Sequence, residues 1–224
     1  MSAPAQPLGQ RRSTSSRIPK LIGWAALAIL VIAMILNTKF LTADEAAELV
    51  PQPFDAVAFV DENWDTTVST LQTEGTDINT LAAAVAADPA AACQEYGAAG
   101  GSAGSCAFPV TAVGTVESAD DRFITVNVAD LPGGATVRIP VGTTLNGTPV
   151  RDAAGYKFSD FPGQTQYQQV SNEFKARMQA DVVGTLDVAA LTGQQVSIVG
   201  AYSIPGPSTS YIIQPVEITE GGAS

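Results

Sequence analysis

The sequence predicts an α+β chain: one transmembrane helix, then a helical region, then a five-stranded β-barrel. Three observations predict this. An uninterrupted apolar run lies near the start, and helical spacing with cap residues fills the stretch up to the second cysteine. After it, runs rich in Val, Thr, Ile and Phe alternate with Gly, Pro and Asp turns, broken once by a helical stripe. The expected parts are a disordered tail (1–19), a membrane span (20–41), a helical region (42–106) and a β domain (107–224).

Residues 21–36 carry no charged or strongly polar side chain. At 1.5 Å per residue this run covers about 24 Å, somewhat short of a ~30 Å hydrocarbon core. Lys20 and Lys39 can snorkel, and Phe40 and Leu41 extend the apolar reach. Arg11, Arg12, Arg17 and Lys20 precede the run with no acid among them. The positive-inside rule then predicts a cytoplasmic N-terminus and an extracytoplasmic C-terminal domain at the cell membrane. The competing reading is a cleaved signal peptide, whose apolar region is shorter and ends at a small-x-small site. Here the best candidate, Leu41-Thr42-Ala43, begins with a poorly suited leucine.

Beyond Leu36 the chain holds seven Lys or Arg against 22 Asp or Glu, a net charge of −15. That balance repels phosphate backbones, so nucleic acid is not an expected partner. There is no histidine, which removes Ser-His-Asp and Cys-His catalysis and His-ligated metal sites. No metal and no cofactor is expected.

After a connector holding Pro51 and Pro53, the residues Val57, Val60, Trp64, Val68 and Leu71 follow 3-4-4-3 spacing and predict one apolar helix face. Gly75 ends that helix. A second carries Ile78, Leu81 and Val85, capped by Thr76 or Asp77. Asp88-Pro89 reads as an N-cap followed by an N1 proline, and Gly97 as a left-handed C-terminal cap, giving a third helix over Pro89–Tyr96. Cys93 and Cys106, the only cysteines, flank a Gly/Ala/Ser loop. Outside the cytoplasm such a pair is expected to join as a disulfide; the alternative, a redox dithiol, normally uses C-x-x-C spacing.

Strands are predicted over 108–117, 122–129 and 135–141, a helix over 165–183 with Tyr167, Val170, Phe174 and Met178 on one stripe, and two last strands over 195–203 and 210–219. Three strands, a helix, then two strands is the order of an OB-like barrel. OB barrels often bind single strands through a basic, aromatic groove. The second and third strands here offer only Arg122, Arg138 and Phe123.

The connection between the third strand and the long helix gathers charges and rings. Gly147-Thr148-Pro149-Val150-Arg151-Asp152-Ala153 leads to Tyr156-Lys157-Phe158-Ser159-Asp160-Phe161 and Gln164. The expected ligand-binding set is Thr148, Arg151, Asp152, Tyr156, Asp160, Phe161 and Gln164. Tyr156 and Phe161 would stack on a sugar face while Arg151, Asp152 and Gln164 bond its hydroxyls. A structural reading stands beside it: Asp caps turn donors and a neighbouring Arg braces the loop. Asp152 and Asp160 could also form a carboxylate pair for hydrolysis, so a carboxylate-based hydrolase is one alternative function. No catalytic residue is assigned.

The G-T-x-x-R-D-A stretch, the F-x-D-F that follows it with a glutamine close behind, the helix around Trp64, the Asp-Pro helix ending in Tyr96-Gly97 and the strand Val196-x-x-Val199-Gly200-Ala201-Tyr202 resemble the DUF2291 family of predicted periplasmic lipoproteins. The resemblance covers roughly residues 38–220. It implies an extracytoplasmic accessory protein without established biochemical activity, associated with sugar ABC-transporter proteins or a small-molecule ligand. A structural, envelope-assembly protein is a further alternative. Two features depart from the family: there is no lipidation cysteine, and there is a Cys93/Cys106 pair.

Overall fold

The computed structural model describes residues 17–38, 54–98, 105–204 and 210–221. The chain divides into two units, Met1–Pro53 and Phe54–Ser224. In the first, α1 spans Arg17–Asn37. From Ile22 onward its apolar side chains are exposed all round, Trp24, Ile29 and Leu36 among them. Among the described residues no helix is long and apolar enough to cross a membrane. The expected span over 20–41 is thus not found among the described residues, and its last part, Lys39 to Leu41, lies outside them. The helix residues whose side chains are described number sixteen, 22–37, and give about 24 Å of rise against a ~30 Å core. The tail before Arg17 and most of the connector lie outside the described residues.

The second unit opens with α2 (Ala56–Thr73), capped by Asp55, whose carboxylate accepts from the Val57 and Ala58 amides. Its buried stripe is Ala56, Val60, Trp64, Thr67 and Leu71. Val57 falls off it, 52 % exposed: residues three apart lag the 3.6-residue turn, and here Ala56 takes the inward place. Thr76–Asp77 adds a two-residue strand, β1. Asp77 caps α3 (Ile78–Ala87) and Asp88 caps α4 (Pro89–Tyr96), each through amides two and three residues on. Gly97 is not a left-handed cap; its φ of −81° and ψ of 140° are extended. A Cβ there would strike the Cys106 sulfur and the Cys93 carbonyl, so the glycine is there for close approach. Cys93 and Cys106 form a disulfide across a Cα–Cα distance of 5.9 Å, tying α4 to the start of β2 (Cys106–Ala119).

β2 pairs with three neighbours: parallel with β1, antiparallel with β3 (Phe123–Asn127), and antiparallel with β5 (Gln195–Ile204) along its first ten residues. β3 continues antiparallel to β4 (Thr136–Pro140). The sheet holds seven strands rather than five. Two causes account for the difference. β1 is an addition from the helical region. The expected last strand is broken at Ile213 into β6 (Ser210–Ile212), parallel to β4, and β7 (Gln214–Glu220), antiparallel to β5. The Ile213 amide donates to the Arg138 carbonyl at the break (3.0 Å). Strand order β6-β4-β3-β2-β5-β7 therefore runs from one half of a single stretch of chain to its other half.

Between β4 and β5 lie α5 (Thr148–Ala153) and α6 (Gln164–Arg177), the latter running into a wider π turn over Met178–Val183. Val170, Phe174 and Met178 are buried together with Phe108, Leu71 and Leu81 in one core. The core thus joins the helical region to the barrel, and the two halves of the sequence fold as one unit.

Candidate functional site

The segment expected to be irregular begins as a helix. Pro149 fits the first turn of α5, where no amide partner is needed. Gly147 lets α5 lie against α6, because a Cβ there would run into the Ser171 carbonyl oxygen. Asn146 fixes the entry: its amide donates to Gln214 Oε1 (2.8 Å), and its own Oδ1 accepts from the Thr148 amide (3.0 Å).

Pro149 to Ala153 are all buried, so the charges of α5 face inward. Arg151 is 2 % and Asp152 4 % exposed. The guanidinium folds back onto its neighbour, with Nε and Nη2 donating to Asp152 Oδ1 at 2.8 and 2.7 Å. Nη1 reaches α6, donating to the Tyr167 carbonyl (3.0 Å) and to Ser171 Oγ (2.6 Å). Arg151 Cζ lies 3.3 Å from the Tyr167 ring centroid. The Tyr167 hydroxyl closes the circuit, donating to Asp152 Oδ1 (3.0 Å). Burial, and then the Asp152 carboxylate, pushes the Tyr167 hydroxyl up to about 12. A buried charge is tolerated when it is paired and hydrogen-bonded, and here each of the three guanidinium nitrogens has an acceptor.

The remaining expected residues spread over a gradient of exposure. Tyr156 is half-buried: its ring stacks on Phe174 (5.9 Å) and its hydroxyl meets Thr67 Oγ1 (3.2 Å). Phe161 is buried among Phe54, Phe59 and Tyr167. Asp160 is exposed, accepting from the Lys157 amide (2.8 Å) and Ser159 Oγ (3.3 Å), and Gln164 is exposed at the start of α6. Thr148 is half-buried. Arg151, Asp152 and Tyr156 are thus drawn together around α6, while Asp160 and Gln164 sit on the outer rim. Asp152 and Asp160 share no bonding partner, and each is held by its own neighbours. Of the two rings expected to stack on a sugar, Phe161 is buried, and Tyr156 is half-buried with Phe174 stacked against it.

Sequence reasoning missed Phe158 and Tyr167. Phe158 is 55 % exposed, and its ring meets Tyr167 edge-on at 5.7 Å. The signal was the tyrosine stripe position of α6, read only as core. Among the described residues no group of three or more Cys, Asp or Glu is placed to hold a metal.

The barrel, its helix between β4 and β5, and a helical region sharing its core define an OB-type α+β domain. The chain belongs to the DUF2291 family of predicted periplasmic lipoproteins, whose model matches residues 26–219. The fold is also similar to the crystal structure of an OB-fold protein from Thermotoga maritima, with a TM-score of 0.61 and 17 % identity over 76 % of this chain and 100 % of that one. No curated protein matches.

Proposed function

We propose that this chain is an extracytoplasmic accessory module, held at the cell membrane by α1 with its N-terminus cytoplasmic. Its working surface is the turn between α5 and α6. The family description supports the compartment. Residues 1–92 hold no cysteine, and the exposed apolar side chains of α1 supply an anchor of another kind. One observation carries the surface assignment. An exposed phenyl ring, Phe158, is held on a turn whose support runs through Tyr167 to the buried Arg151–Asp152 pair. Exposed aromatic side chains on rigid supports are the usual anchors of protein interfaces. In this reading Arg151, Asp152 and Phe161 position the turn, and Thr148, Tyr156, Asp160 and Gln164 border the contact. The partner is a membrane-associated protein such as a sugar ABC-transporter component; a small ligand would use the same rim.

The test is a photo-crosslinking amino acid at position 158 in the full chain in its native membrane, with position 57 as an exposed apolar control. A discrete crosslinked partner at 158 and none at 57 is expected. Equal labelling at both positions, or only lipid adducts at 158, would remove the assignment. Protease added to cells with a permeable outer envelope should digest the C-terminal domain and spare the tail; protection of the domain would reverse the topology.

A further inference from the structure

A second surface lies on the barrel itself, away from the α5–α6 turn in sequence and in bonding. The outward residues of β3 and β4 are marked by alternating burial: Ile124, Val126, Val137 and Ile139 face in, while Phe123, Thr125 and Arg138 stay half-exposed. Arg138 Cζ sits 3.8 Å from the Phe123 ring centroid, and Arg122 Cζ lies 5.9 Å from the same ring. Arg138 is paired with Thr125 on one side and Ile212 on the other, which puts those side chains on its face.

The backbone under these groups is fixed. Asp120 Oδ1 accepts from the Arg122 and Phe123 amides at 2.8 and 2.7 Å, and the Arg122 carbonyl accepts from the Val141 amide (2.9 Å) and Thr144 Oγ1 (2.7 Å). Among the described residues neither arginine is in an ion pair, whereas Arg151 and Arg177 are. Both arginines also help to hold the Asp120 carboxyl below its ordinary value, after the two amides that bond it, so a carboxylate of this chain already lies within their field without forming an ion pair. A guanidinium laid on a phenyl ring loses little freedom when it next bonds a carboxylate, and it does so in a two-pronged manner that lysine cannot match.

We infer that the Arg122–Phe123–Arg138 face of β3 and β4 binds a short acidic segment of a protein partner, one that sets carboxylates beside apolar side chains. Charge decides the class. At −15 beyond Leu36, the domain repels an extended polyanion such as a polyphosphate or an anionic bilayer. One or two carboxylates meet only the local field of the two arginines. Phe123 and Ile212 supply the apolar ground beside them.

The experiment uses the full chain in uncharged detergent, with two dye-labelled octapeptides as probes: one with two Glu set beside Leu in an otherwise uncharged sequence, and one with Gln at both those positions. A single-stranded oligonucleotide of equal length is the third probe. The Glu peptide should bind, with affinity falling as salt rises, and Arg138→Gln or Arg122→Gln should each weaken it about tenfold with melting unchanged. Lys157→Gln, on the α5–α6 turn, should leave it unaltered, so failure here is separable from failure of the first surface. Absence of Glu-peptide binding, equal binding of the Gln peptide, tighter binding of the oligonucleotide, or insensitivity to both arginine variants would each overturn the inference.

Discussion

Two arginines in this domain sit close over aromatic rings, one inside the protein and one at its surface. Arg151 sits 3.3 Å from the Tyr167 centroid inside the protein, and Arg138 sits 3.8 Å from that of Phe123 at its surface. Arg151 spends its donors on Asp152, Ser171 and the Tyr167 carbonyl. Arg138 meets no carboxylate within ion-pair distance among the described residues. The same geometry therefore serves two ends. Inside, the ring completes the solvation of a charge that water has left; outside, it holds a charge ready.

The comparison breaks most visibly if the buried carboxylate is removed. Asp152→Ala leaves the Arg151 charge buried without its partner and should cost about 3–5 kcal/mol of unfolding free energy by chemical denaturation. A cost under ~1 kcal/mol would mean that water reaches Arg151. The disulfide gives a yardstick of known origin. Cys93→Ser opens a loop of sequence separation 13 and should cost about 2–4 kcal/mol, with no free thiol titrating in the unreduced native protein.

A pH scan sharpens the contrast. Tyr167 is raised to about 12 from 10.0, so the folded state keeps a proton that the unfolded chain has lost. Its stabilising effect is complete below about pH 10 and disappears as pH climbs through about 12. Melting temperature should therefore drop between those values, and Tyr167→Phe should flatten that drop. On the surface the sign reverses. Asp120 is lowered from 3.8 by the Phe123 and Arg122 amides first and the arginines after them. Its contribution is present above 3.8 and fades as pH falls through the depressed value; Asp120→Asn should remove that acid-limb dependence. The smallest effect belongs to Arg138→Gln, which should shift stability by no more than about 0.5 kcal/mol in the same denaturation assay.

Much of this architecture was legible in the sequence. Asp88-Pro89 and Asp77 marked helix starts because a short carboxylate beside free amides has one good use there. The strand runs were clear because alternation and turn residues agreed. Three features were hidden. Arg151 and Asp152 are adjacent, and neighbours on a helix do not normally face each other; only the tertiary site turns the guanidinium back onto Asp152. Gly-Thr-Pro read as loop, although proline at a helix start and a glycine under a neighbouring helix explain both breakers. The break at Ile213 is marked locally only by Pro215 two residues on, and its cause is not local, since one stretch pairs with two different strands. At the candidate site the residue types were read correctly, but burial sorted them into supports and rim, and no spacing rule reports burial of a charged pair.

That divided strand bears on how the molecule is made. A chain synthesised from its N-terminus can assemble the β2–β3–β4 meander, and then add α6 and β5, while both outer edges are still unpaired. Residues 210–220 bond to β4 with their first part and to β5 with their last, so they satisfy both edges in a single late event. Until those residues emerge, the barrel remains open and its inward side chains Ile139 and Ile198 lack part of their cover. The topology thus couples closure of the two edges, because the strands that cover them are joined through a single residue.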